Sequence, residues 1–184
     1  MFKTQLKLTI FMFSIFFVIF ATAGWAENYH FKGSLDCSKI GPRHPIQTEA
    51  SGEIFLQLDE SKQELTYKLS VEKIKDVYMA HLHFVPSSNQ DQREQELIGQ
   101  EPMDHQGPLV AWLYPSIDYD APNRCIEGEF SGILVEGVIR QEDLEKDITF
   151  ADFIEALRNS NIYANVHTRK YVSGEICGLI KPQK

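Results

Sequence analysis

The chain has six histidines, and three of them fall into a pattern suited to holding a metal ion. In Tyr78-Met79-Ala80-His81-Leu82-His83-Phe84, an extended strand sends Met79, His81 and His83 to one face and Ala80, Leu82 and Phe84 to the other. The apolar side belongs to a core. Tyr163-Ala164-Asn165-Val166-His167-Thr168 repeats the arrangement, with Ala164 and Val166 in the inward phase and Asn165 and His167 in the outward one. Two imidazoles from one strand, a third from a neighbouring strand and the Glu175 carboxylate behind them make an N/O donor set that copper or zinc accepts. Read without a metal, the same rings brace the outer face through hydrogen bonds, with Glu175 and Asn165 fixing their tautomers. Either reading needs the two strands to be neighbours.

The other chemistry on offer is nucleophilic. Cys177 and His167 come close if the last two strands form a hairpin, and a thiolate paired with imidazole is reactive. A cysteine so placed is more commonly a spare half-buried thiol or a disulfide partner. No catalytic residue is assigned on this basis, and an enzyme is not expected.

The elements that must position these side chains are mostly strands. Residues 29–35 read as a strand with Phe31 and Leu35 on one face, while Pro42 and Pro45 make the following stretch a loop. Residues 53–59 alternate, with Ile54, Leu56 and Leu58 inward. Residues 65–71 do likewise through Leu65, Tyr67, Leu69 and Val71, and a hairpin loop over 60–63 joins the two. The strand of His81 and His83 is then the fourth. Residues 86–107 are strongly polar and read as a long loop. A buried strand over 109–114 ends at Pro115, and residues 129–138 supply another, with Gly128, Gly132 and Gly137 marking bends or bulges.

A short helical turn is expected within 141–146. Thr149 caps a helix over 150–159, whose stripe of Phe153, Ile154 and Leu157 makes it a lid on one end of the core. The last two strands, 161–168 and 173–180, form a hairpin. A turn centred on Tyr171 sets His167 opposite Glu175, Asn165 opposite Cys177 and Val166 opposite Ile176. About eight short strands with one short helix predict an all-β fold, a Greek-key-like sandwich or barrel.

Residues 1–26 read as a secretory signal peptide. Lys3 and Lys7 precede an apolar run over 8–20, and small residues suit cleavage after Ala23 or Ala26. Residues 27–184 then make a single domain, secreted or periplasmic, with no membrane span after cleavage. The leader holds two of the 18 basic residues and none of the 26 acidic ones, so the remainder has 16 basic against 26 acidic side chains, a net charge of −10. Such a surface repels nucleic acid and anionic lipid and favours cations. Cys37, Cys125 and Cys177 would meet an oxidising compartment, where an odd count leaves one disulfide and one thiol or an intermolecular bond. Turn-rich surroundings point to Cys37 with Cys125.

Four motifs in order carry a resemblance. Ala80-His81-Leu82-His83, then Gly107-Pro108 ahead of an apolar strand, then Tyr163 to Thr168, then Gly174-Glu175-Ile176-Cys177-Gly178 resemble the CHRD domain, a module repeated in chordin and found in many bacterial exported proteins. The likeness runs from about residue 29 to 181. Gln106 stands where asparagine is usual, Cys177 where arginine is usual, and the segment from Pro86 is longer than typical. By analogy with chordin, which sequesters growth factors, the resemblance implies a binding module and an extracytoplasmic protein partner. A more distant likeness is to copper/zinc superoxide dismutase, where a His-x-His strand and a later histidine hold copper. Here no dependable bridging histidine is found, His105 being the nearby candidate, and dismutase activity is not expected. The expected function is a non-enzymatic binding or structural module; the alternative is a copper or zinc protein using His81, His83 and His167.

Overall fold

One strand of 21 residues organises the molecule. The computed structural model describes residues 29–36, 47–85, 107–114 and 125–183. Within them lie β1 (Tyr29–Leu35), β2 (Ser51–Asp59), β3 (Glu64–Phe84), β4 (Leu109–Tyr114) and β5 (Ile126–Ile139). A 3-10 turn over Gln141–Asp143 follows, then helix α1 (Phe150–Arg158), β6 (Ile162–Thr168) and β7 (Ile176–Pro182). All strand pairings among the described residues are antiparallel. The order β2-β1-β7-β6-β3 closes on itself because β2 also pairs with β3, giving a five-stranded barrel, with β4 and β5 added along β3.

Among the described residues there are seven strands where the sequence suggests about eight in all, because residues 65–71 and the histidine segment are one continuous strand. Strict alternation breaks three times along it. Buried positions run Leu65, Tyr67, Leu69, Val71, then step by three to Ile74, to Val77 and to Ala80 before alternation resumes at Leu82. Lys73 and Asp76 adopt left-handed backbone, with φ of 52° and 54°, and the pairing register shifts between Val71 and Ile74 and between Val77 and Met79. Such bulges bend a strand without ending its ladder. The N-terminal half of β3 thereby pairs with β2 and β5, and the C-terminal half with β6 and β4.

The barrel interior collects the inward residues of every strand, among them Phe31, Leu35, Ile54, Leu82 and Ile176. α1 covers part of this core with Phe153, Ile154 and Leu157, all buried. Thr149 caps it as its sequence predicts, Oγ1 accepting from the Asp152 amide at 3.1 Å. The last hairpin has the expected register, Asn165 opposite Cys177 and Val166 opposite Ile176, although β7 begins at Ile176 rather than at residue 173.

Gly178 shows how tightly β1 and β7 approach. A Cβ there would sit 2.0 Å from the Ser34 carbonyl oxygen, a backbone atom that cannot swing aside. Gly178→Ala is therefore expected to lower stability by at least about 2 kcal/mol, in the upper range for overpacking, read as a fall in the urea midpoint. An unchanged midpoint would show that the strands can part freely.

The leader over 1–26, Cys37, His105 and the loop over 86–106 lie outside the described residues. The expected pairing of Cys37 with Cys125 therefore lies outside them too; Cys125 itself is half-buried. Among the described residues, no helix is long and apolar enough to cross a membrane.

Candidate metal centre

The C-terminal half of β3 runs between β6 and β4, which makes the two histidine-bearing strands direct neighbours. Met79 lies opposite His167, His81 opposite Asn165, and His83 opposite Tyr163. On the other edge His81 faces Trp112. His81, His83 and His167 converge, each offering a ring nitrogen such that all three atoms lie within 4.8 Å of one another.

The face they share points away from the barrel interior, but it is not a solvated surface. His81 and His83 are 5% exposed and His167 is 1% exposed. Aromatic rings surround them. Trp112 meets His81 edge-on at 5.2 Å, Tyr163 stacks on His83 at 5.2 Å, and Tyr78 sits edge-on to His167 at 6.3 Å. Alternation could place these imidazoles on the outward face; it could not reveal that large neighbours bury that face.

Backbone carbonyls set the tautomers. His83 donates from Nδ1 to the Gly107 carbonyl at 2.7 Å, and His167 donates from Nδ1 to the Val172 carbonyl at 2.8 Å. A carbonyl only accepts, so both rings carry their hydrogen on Nδ1 and leave Nε2 bare. His83 Nε2 faces His81 Nδ1 at 2.6 Å. His167 Nε2 is buried with no hydrogen-bond partner. An orphaned lone pair in a dry site is costly unless something occupies it.

The rings are held neutral. Burial pushes His81 down to about 2, with His167 and His83 nearby adding to the effect. Burial also lowers His83, against the opposing pull of the Gly107 carbonyl. It brings His167 to about 4, partly offset by the Val172 carbonyl. Neutral imidazoles with second nitrogens anchored to carbonyls are the form in which histidine binds metal, and the anchors fix the ring orientation. His81 Nδ1 and His83 Nε2 both offer lone pairs to a cation only when His81 carries its hydrogen on Nε2, still as a neutral ring, and the two rings part beyond the 2.6 Å of their hydrogen bond.

Glu175 is not brought into this cluster. Its buried carboxylate accepts from Thr48 Oγ1 and Thr168 Oγ1, each at 2.6 Å. The expected position opposite His167 does not deliver the carboxylate: β7 begins only at Ile176, and the hydroxyls of Thr48 and Thr168 hold the Glu175 side chain. Asn165 fixes no histidine tautomer either: its Nδ2 donates to the Ser173 carbonyl at 3.2 Å. The carbonyls of Gly107 and Val172 take that role, and a sequence gives no sign of which carbonyl a ring will meet.

A family model, the CHRD domain, matches residues 32–180, most of the chain. The chain belongs to the CHRD-domain family. No curated protein and no solved structure matches it. Two of the motifs that suggested a CHRD domain acquire physical roles here. Gly107-Pro108 supplies the carbonyl that anchors His83 and another that accepts from the Phe84 amide at 2.9 Å, so it ties the start of β4 to the end of the histidine strand. Gly174 gives way to Asn165: a Cβ on it would lie 2.1 Å from the Asn165 side-chain oxygen.

Proposed function

We propose that this CHRD domain is an exported, non-enzymatic protein that binds one copper or zinc ion through His81, His83 and His167. The observation that carries the reading is the bare, buried and unpartnered Nε2 of His167, aimed into a cluster whose two other members are neutral imidazoles. Hydrogen-bond bracing alone accounts for the His83 and His167 Nδ1 atoms and leaves that nitrogen unexplained. The acidic composition supports the choice of a cation, and the leader-like residues 1–26 support a location outside the cytoplasm.

Protein made without a histidine tag, stripped with chelator and titrated separately with cuprous, cupric and zinc ions should bind one equivalent of at least one of them. Calorimetry and elemental analysis of the dialysed sample would measure it. A chain that retains none of the three overturns the assignment and returns the histidines to a bracing role.

A further inference from the structure

The ring cluster has a neighbour of a different chemical kind. β3 carries one residue more than β6 between Val77, which pairs with Thr168, and Met79, which pairs with His167. Tyr78 is that extra residue. Val77 on one side and Ala80 on the other are both fully buried in the core. The bulge therefore turns both Tyr78 and Met79 toward the histidine face, and the Tyr78 ring is indeed found against His167. Met79 precedes His81 by two residues on that face and lies directly opposite His167, the relation in which Cβ atoms are about 5 Å apart. It is half-buried, whereas His81, His83 and His167 are almost wholly enclosed.

Charge adds a second argument. The described residues that converge here are all neutral, since Glu175, the carboxylate expected beside them, is turned to Thr48 and Thr168. A divalent ion held by three neutral imidazoles brings two uncompensated charges into a buried site, and a monovalent ion brings one. Soft thioether ligands with imidazoles select cuprous copper, while zinc gains little from methionine sulfur.

We infer that the centre is a cuprous copper site and that the Met79 thioether is its fourth ligand. This rests on the three-histidine reading above and narrows it to one metal, one oxidation state and one further residue. The ligand set is then three imidazole nitrogens and one sulfur, with no carboxylate. Met79 supplies selectivity against zinc, and its partial exposure gives the ion a way in.

The test uses tag-free full-length mature protein, handled anaerobically with ascorbate-reduced copper and a chromogenic cuprous chelator as competitor. Zinc affinity is measured in parallel against a zinc chelator. Wild-type protein should hold one cuprous ion in preference to zinc, and X-ray absorption at the copper edge should show one sulfur scatterer. Met79→Leu, which conserves volume, should weaken cuprous binding by about tenfold or more while leaving zinc affinity within about twofold. The absorption measurement on wild-type protein needs no variant, so a poorly folded Met79→Leu would not leave the inference untested. A copper shell of nitrogen alone, or a Met79→Leu protein that keeps its cuprous affinity, overturns the role of Met79 and leaves the histidine site standing. Binding of zinc without cuprous copper overturns the choice of metal. Failure to bind any of these ions removes the histidine site and this inference together.

Discussion

Replacing His81 with alanine is expected to weaken metal binding by at least about a hundredfold, whereas Glu175→Gln leaves it within about twofold and lowers stability instead. His81 is the hub of the cluster, with its ring 4.5 Å from that of His83 and 4.4 Å from that of His167. Removing a ligand costs more than the 10- to 100-fold typical of losing an outer partner. Glu175 has the opposite profile. Its carboxylate joins Thr48, ahead of β2, to Thr168, at the end of β6, and a neutral amide cannot accept both hydroxyl hydrogens equally well. The loss should be about 1 to 3 kcal/mol. Titration calorimetry with each variant, alongside denaturant midpoints, separates the two effects. Loss of metal binding in Glu175→Gln would place that carboxylate back among the ligands.

The metal-free protein should lose stability steeply as pH falls from about 6.5 toward 4. In the unfolded chain each of these histidines takes up a proton near 6.5. In the folded chain His167 resists protonation down to about 4, His81 down to about 2, and His83 is lowered as well. Between those limits the unfolded state binds more protons, so acid favours unfolding. The stability these rings contribute is whole above the unfolded value and is lost on descending toward the folded ones. Each ring in its window contributes up to about 1.4 kcal/mol per pH unit. Urea midpoints at half-unit intervals from pH 7.5 to 4.5 would show the slope. His81→Leu should remove about one proton's worth of it, and added metal at pH 5 should raise the midpoint. Stability that stays level down to pH 5 would mean that the rings are reached by water and already charged.

Much of this architecture is legible in the chain before any coordinates. β1 and β4 have the expected limits, the Thr149 cap starts α1 at the expected residue, and the phases of Ala164, Val166 and Ile176 give the hairpin its register. Local patterns suffice there because each depends on neighbours in sequence. The continuity of β3 was not legible, since Lys73 and Asp76 interrupt the alternation that marks a strand and look like the end of one. The enclosure of the histidines was hidden for a related reason. Period-two patterning tells one face from the other, but whether a face is dry depends on Tyr78, Trp112 and Tyr163 arriving from three strands. The Glu175 carboxylate is held by Thr168 and by Thr48, the latter 127 residues away, a partner that no local pattern marks.

The three interruptions in β3 also set a counting rule for the segment between Val71 and Ala80. Uninterrupted alternation from Leu65 would carry every odd-numbered residue, His81 and His83 included, into the barrel, and it is the odd number of added residues that exchanges the two sides. Deleting Lys73 takes away one interruption together with its added residue, so Val71 and Ile74 fall into plain alternation and the imidazoles should keep their side, whereas deleting a residue from the regular stretch over 65–71 should exchange the two sides. Removing one residue from each of two interruptions should keep the sidedness and only straighten the ribbon. Between Val71 and Ala80 the ribbon can thus shorten one residue at a time, wherever an interruption gives up its extra residue.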